Sequence, residues 1–255
     1  MKSREHILFI NAKKYFRKAI PLFVLLNGST LAYLEVKSTS KKMFLLFLVT
    51  IAFSIASKAQ TTIVLQPDAT TGKDAYLRSL APNLNYGTHR DFLAHAWTHS
   101  GAPVRVRGII DFDLSSIPNT AIINSAHLSL YSYTSPGNGS HSTRSGPNES
   151  FLSRVTSAWD ENTVTFNNQP SITTQNQVLI QSSTQPIQDY LNIDVSNLVQ
   201  DMINDPNNSH GFLFKLATEQ LFRRMLFASS DNLDSTLHPK LEITYTTQAP
   251  NSPAE

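Results

Sequence analysis

VRVRGIIDFDL, residues 104–114, alternates apolar and charged side chains with a period of two. Val104, Val106, Ile110, Phe112 and Leu114 are apolar, while Arg105, Arg107, Asp111 and Asp113 between them are charged. Successive residues of a strand point to opposite faces, so one face of this segment enters a core and the other does not. Read this way, the stretch decides the class: β-strand, and antiparallel sheet.

The same device recurs along the chain. AHLSLYSY (126–133) sets Ala126, Leu128 and Leu130 on one side, GFLFKL (211–216) groups Phe212, Phe214 and Leu216, and KLEITY (240–245) groups Leu241, Ile243 and Tyr245. Shorter strands are expected near 62–66, 74–79, 151–155, 163–166, 177–181 and 225–229, and 89–99 reads as strand and loop. One segment departs from the rule. In DVSNLVQDMINDP (194–206), Val195, Leu198, Val199, Met202 and Ile203 fall at i, i+3, i+4, i+7 and i+8, one face of a helix. Asp194 is placed to cap its first amides, and Pro206 prevents continuation. Many short strands, polar turns and one short helix predict an all-β fold, an antiparallel β-sandwich of jelly-roll type. TSPGNGSHSTRSGPNES (134–150) reads as a long polar loop, and no internal repeat is present.

The chain of 255 residues contains no cysteine, which removes disulfides, thiolate metal sites and a cysteine nucleophile. Charge is unevenly distributed. Residues 1–59 hold ten basic and two acidic side chains; the remaining eleven basic and seventeen acidic residues leave the rest at −6. Nucleic-acid binding loses its support, because phosphate contact needs a basic face.

Within the leader, Lys41 and Lys42 precede an unbroken apolar run over 43–56, too short to span a bilayer as a helix but right for the core of a signal peptide. Ser57 and Ala59 then place small residues where a signal peptidase reads, so cleavage is expected after Ala59. The competing reading, a membrane anchor, is disfavoured by the brevity of the run. Residues 1–40 fit no clean signal peptide; they belong either to an over-called start or to an unusually long leader. The expected organisation is a leader over 1–59, one β-sandwich module over 60–247 and a linker-like tail over 248–255. It implies a secreted or cell-surface product with no membrane attachment after cleavage, and further modules of a longer protein as partners.

DAYLRSLAPNLNYGTHRDFLAHA (74–96), RGIIDFDLSSIP (107–118), SAHLSLY (125–131), TSAWDENTVTFNNQP (156–170), DVSNLVQDMINDPNNSHGFLFKL (194–216) and FASSDNLDSTLHPKLEITY (227–245) occur in this order. Together they resemble the disaggregatase-related DNRLRE domain of secreted bacterial proteins, which is similar to the family-96 carbohydrate-binding modules, some of which bind alginate. The resemblance implies a non-catalytic module that binds a polysaccharide. It also implies that Trp159, Glu161, Val164, Thr165, Phe166, Asn168 and Pro170 are scaffold, with Phe166 where a second tryptophan is usual. The residues agree with that. Asp160 and Glu161 are neighbours, so in a strand they diverge and cannot flank one glycosidic bond.

Cations cluster within 73–107: Lys73, Arg78, Arg90, Arg105 and Arg107 face only Asp74 and Asp91 there, with Tyr86 and Trp97 nearby. Guanidinium groups grip carboxylates and aromatic faces stack on sugar rings. Lys73, Arg78, Tyr86, Arg90, Trp97 and Arg105 are therefore the candidate ligand-binding residues, for an acidic polysaccharide such as alginate. The competing reading is that Arg105 and Arg107, sharing one strand face, pair with neighbouring acids. His89, His95 and His99 suit solvated loop positions better than a metal site. No catalytic residue and no cofactor is expected; a structural calcium held by loop oxygens is the one metal left open, though no local acid cluster declares it. Two other classes remain: a structural or adhesion module, and a jelly-roll polysaccharide lyase. The Arg-x-Glu, Gln-x-His and Tyr-x-Lys strand motifs of such lyases do not occur.

Overall fold

A computed structural model describes residues 19–26, 30–37 and 60–247. The expected apolar signal core, the cleavage point and the tail lie outside them. The strands are β1 (Ala19–Leu26), β2 (Thr30–Lys37), β3 (Gln60–Leu65), β4 (Lys73–Arg78), β5 (Asp91–His99), β6 (Ala102–Asp111) and β7 (Ile122–Leu130). They continue with β8 (Ser142–Thr143), β9 (Ser150–Val155), β10 (Ile172–Ile180), β11 (Tyr190–Asp194), β12 (Phe212–Leu216), β13 (Arg223–Ala228) and β14 (Lys240–Thr246). The helix α1 spans Ser196–Asn204, between β11 and β12.

The described residues fall into two separate units, one holding β1 and β2 and the other β3 to β14. In the first unit β1 and β2 form an antiparallel pair in register from Ala19 with Lys37 to Leu26 with Thr30. In the second, two antiparallel sheets make an all-β sandwich. The larger runs β10-β9-β12-β6-β5-β13-β8, with β4 also on β6; the smaller runs β11-β7-β14-β3. Among the described residues no helix is long and apolar enough to cross a membrane.

The main core lies between the sheets, where Phe92, Phe212, Phe214, Phe227, Leu128, Leu130, Leu241 and Ile243 are fully buried. Removing that apolar area from water is the dominant favourable contribution to the fold. α1 packs on β7 and buries the expected stripe of Leu198, Val199, Met202 and Ile203. Asp194 Oδ1 accepts the Ser196 amide at 3.0 Å, but the N-cap position is held by Val195, which has no side-chain cap bond, so Asp194 turns the chain into the helix from one residue earlier than expected and does not cap it. Pro206 opens a short 3-10 turn just past its end.

The simple rule of one buried and one wet face holds only in part. On β6, Val104 and Val106 are buried on the face opposite Arg105, but Ile109, on the arginine side, is fully buried too. It belongs to a second cluster with Ala75, Leu77, Val155, Val164 and Leu213. Trp159 and Phe166 are packed against this cluster, so the segment 156–170 is its lid. The strand expected at 163–166 does not form. Thr165 N and Oγ1 both donate to Asn168 Oδ1, and Val164 N donates back to Asp160 O, so the backbone is spent on turns. A third cluster joins Tyr76, Leu93, Val104, Val106 and Leu226, with Tyr86, Trp97 and Tyr133 at its edge.

β6 can serve three clusters because β5 leaves its edge and folds over it at Gly108. A Cβ there would meet the Phe92 ring at 2.7 Å. Only glycine leaves room for that crossing.

Candidate functional site

The sheet order divides the six residues singled out by sequence. Arg78 lies opposite Val106 on β6, and Trp97 lies opposite Val104. All four therefore share one face, the face of the third cluster. Tyr86 joins them, stacked on Tyr76 with ring centroids 4.5 Å apart, and its hydroxyl is 3.5 Å from Arg78 Nη1. Lys73 and Arg105 have the opposite parity on β4 and β6, so they lie on the other face. Lys73 Nζ pairs with Asp111 at 2.9 Å and sits 4.4 Å from the centre of the Trp159 ring. Arg105 stands 3.6 Å from Glu219 with its side chain 52 % exposed. Arg107 grips the same Glu219 through two bonds of 2.7 and 3.0 Å, bonds Gln169 at 2.9 Å and lies over Phe166. The basic strip read along 73–107 is thus two surfaces back to back, one of them largely tied to acids. Exposed Arg90 lies at the near end, beside a cavity of about 290 Å³ lined with Asp91, Tyr133 and Ser135.

Residues far along the chain complete the first face. β13 pairs with β5, placing Arg224 opposite His95. The Arg224 guanidinium lies 5.0 Å from the centre of the Trp97 ring, a cation–π contact. Phe222 meets the same indole edge-on at 5.2 Å, and Arg144 lies over Phe222 at 5.6 Å. The face therefore gathers Tyr86, Arg78, Trp97, Arg224, Phe222 and Arg144. Sequence reasoning missed Arg224, Phe222 and Arg144 because they lie far from 73–107; their only sequence signal was a second basic–aromatic cluster at 222–224.

The polar loop 134–150 borders this face and is held in place. Asp91 is buried, and its carboxylate accepts bonds from the Tyr133 hydroxyl, Ser135 Oγ (2.8 Å) and Asn138 Nδ2 (2.6 Å). Ser140 O in turn accepts Arg224 Nε at 2.6 Å. Gly139, at φ +73°, lets the guanidinium pass, since a Cβ would come within 2.9 Å of Nη2. Burial lowers the proton affinity of Arg224, and Asp91 partly offsets this.

The expectation of solvated loop histidines is corrected at two positions: His99 is exposed but ends β5, and His95 departs further. His95 is no loop residue: it lies inside β5 and is 6 % exposed. Burial, then Arg224 and Arg78, push its pKa down to about 3, so it is neutral near pH 7. Its Nδ1 is buried without a hydrogen-bond partner. Among the described residues, no group of three or more His, Cys, Asp or Glu is placed to hold a metal ion.

The paired acids of 156–170 have separate tasks. Asp160 Oδ1 accepts the Asn162 amide at 3.0 Å, and Glu161 Oε1 accepts the Asp74 amide at 2.8 Å. Asn85 Nδ2 clasps the carbonyls of Glu161 and Val164 at 2.7 and 2.8 Å. Gly87 is required beside it, because a Cβ would stand 2.2 Å from Glu161 O. The carboxylates brace backbone and do not converge on a substrate. A separate cavity of about 690 Å³, between Lys73, Asp111 and the end of α1, has only Lys73, Asp111 and Asp113 as charged lining groups. It offers a polyanion no free cation.

Residues 66–245 match the family model described as carbohydrate-binding module family 96. No curated protein matches the chain.

Proposed function

Since the chain belongs to carbohydrate-binding module family 96, we propose that it is a secreted, non-catalytic module whose ligand is an acidic polysaccharide, with alginate the first to test. One observation carries the acidic preference. Arg78 and Arg224 share a face with Tyr86 and Trp97, and neither forms an ion pair among the described residues, whereas Lys73, Arg105 and Arg107 do. Free guanidinium groups among aromatic rings suit a chain of charged sugars: the rings stack, the cations pair with carboxylates. Each exposed ion pair contributes only about 0.2–1 kcal/mol, so binding is weak, salt-sensitive and built from several contacts along the polymer. The −6 charge outside the leader gives no long-range attraction to a polyanion, so the local face must supply it.

Affinity electrophoresis of the purified chain through gels with alginate, pectin or neutral glucan tests this. Retardation by alginate that fades with salt supports it. No retardation by any glycan would favour a structural or adhesion module instead. Steady release of unsaturated or reducing ends, abolished by a point change in this domain, would restore the enzyme reading.

A further inference from the structure

His95 is an unusual residue to bury on this face. Alternation along β5 sends Phe92, Ala94 and Ala96 into the main core and Leu93, His95 and Trp97 to the other side. Register then sets His95 within a single row crossing the sheet: Arg78 on β4, Val106 on β6, His95 on β5, Arg224 on β13 and Ser142 on β8. A buried polar atom ordinarily has a partner, and Nδ1 of His95 has none. Two cations flank it, and no carboxylate among the described residues pairs with either. Arg224 is itself partly buried, and the one side-chain hydrogen bond it makes among the described residues is from Nε to Ser140 O, so its outer nitrogens are left for another acceptor. Asp91 acts on Arg224 only at a distance, so two cations with a neutral, unpartnered imidazole between them lack a direct anionic acceptor.

We propose that Arg78, His95 and Arg224 form a carboxylate subsite, in which the two guanidinium groups take the carboxylate of a uronate and the imidazole donates a hydrogen bond to it from Nε2, Nδ1 being closed to solvent. This rests on the polysaccharide reading above and names the chemical group that is recognised. The row spans three strand spacings between the arginine backbones, about 14 Å, a gap that two arginine side chains and one carboxylate can bridge.

Proton linkage follows from the same arrangement. In the free protein His95 is neutral near pH 7, held so by burial and by both arginines. The other groups in or beside the row are the apolar or neutral side chains Val104 and Val106 from β6, Trp97 from β5, Ser142 from β8, and the phenols of Tyr76 and Tyr86; Asp91 also bears on Arg224, but its oxygens are taken by Tyr133, Ser135 and Asn138, while His89 packs on Tyr76 and His141 lies near Arg224. A bound carboxylate offsets the field of the arginines and accepts a bond from a protonated ring. The imidazole then holds a proton more tightly in the complex than in the free protein. Binding therefore takes up a proton, and affinity rises as pH falls, for as long as the uronate stays ionised.

The test is calorimetric titration of the full chain with an alginate oligosaccharide and with its carboxyl-reduced counterpart, in two buffers of different ionisation heat, at about pH 5.5 and 7.5. The parent should take up protons at the lower pH, bind more tightly there, and fail to bind the reduced sugar. His95→Asn, which keeps a polar group but cannot titrate, should abolish the uptake. Arg78→Gln and Arg224→Gln should each weaken binding about tenfold or more, whether or not His95→Asn folds as judged by its melting temperature. Unchanged uptake in His95→Asn would overturn the subsite while leaving the acidic-polysaccharide reading intact; equal binding of the reduced sugar would overturn both the subsite and the acidic preference, leaving only a polysaccharide-binding module. Failure of the parent to bind either sugar, or any neutral glycan, would remove both.

Discussion

The guanidinium of Arg224 lies 5.0 Å from the ring centre of Trp97, although the two residues are far apart in the chain. The contact holds one indole face against a cation and leaves Trp97 half-buried. Changing Trp97 to Ala should remove both a stacking surface and the support of Arg224. We expect alginate retention to drop about tenfold, in line with the loss of one aromatic platform and one cation–π contact. Arg105→Ala, on the opposite face, should change retention little. The comparison is made in parallel gels at equal salt, and equal losses in the two variants would contradict the division into two faces.

Leu198 is fully buried where α1 packs on β7. Leu198→Ala leaves a cavity as well as losing apolar contact, so unfolding in urea should be easier by about 2–5 kcal/mol. Sugar binding measured well below the unfolding midpoint should be unaffected, since α1 supplies no residue to the basic face. A midpoint equal to that of the parent would show that this helix face is not part of the core.

Gly108 sits under the ring of Phe92, which is itself fully buried. Gly108→Ala must push that ring or the crossing of β5 over β6. A loss of about 1–3 kcal/mol is expected from overpacking, read as a lower melting temperature. A variant as stable as the parent would mean that β5 does not cross so closely.

Asp74 is 1 % exposed, and its carboxylate accepts bonds from Ser230 N and Oγ. Burial pushes its pKa up to about 7, with the Ser230 bonds opposing and the charges of Asp231 and Glu161 adding to the rise. In the unfolded chain it titrates near 3.8. The folded state therefore holds a proton that the unfolded state has released over the interval between those values. The contribution of Asp74 to stability is full below pH 3.8, falls as pH rises, and is lost once pH passes about 7. One proton limits the slope to about 1.4 kcal/mol per pH unit. Asp74→Asn keeps an acceptor for Ser230 but cannot ionise. Its stability relative to the parent should climb between pH 4.5 and 7.5, a trend that urea melts at several pH values would check. Parallel curves for the two proteins would show that Asp74 does not titrate in this range.

Much of the fold was legible in the residues themselves. Period-two alternation located β6, β7, β12 and β14, and the i, i+3, i+4 stripe located α1, because side-chain direction is fixed locally by the backbone of each element. The lid at 156–170 was recognised as scaffold, but 163–166 was mistaken for a strand. Its alternation of Val164 and Phe166 faces a cluster, while Asn168 claims the Thr165 amide that a ladder would need.

The candidate site was legible only in part, for a related reason. Position along the strand alone makes Arg78 opposite in parity to Lys73, and Arg105 the same in parity as Arg107. It could not determine which strand lies beside which. Only the tertiary structure put β13 next to β5, bringing Arg224 to His95 and Trp97, and set Glu219 against Arg105 and Arg107. The parity of a side chain is set by its own two peptide planes, whereas its neighbours across a sheet are set by hydrogen-bond ladders whose partners, as for β13 and β5, can lie more than a hundred positions apart and are chosen by how the whole core packs.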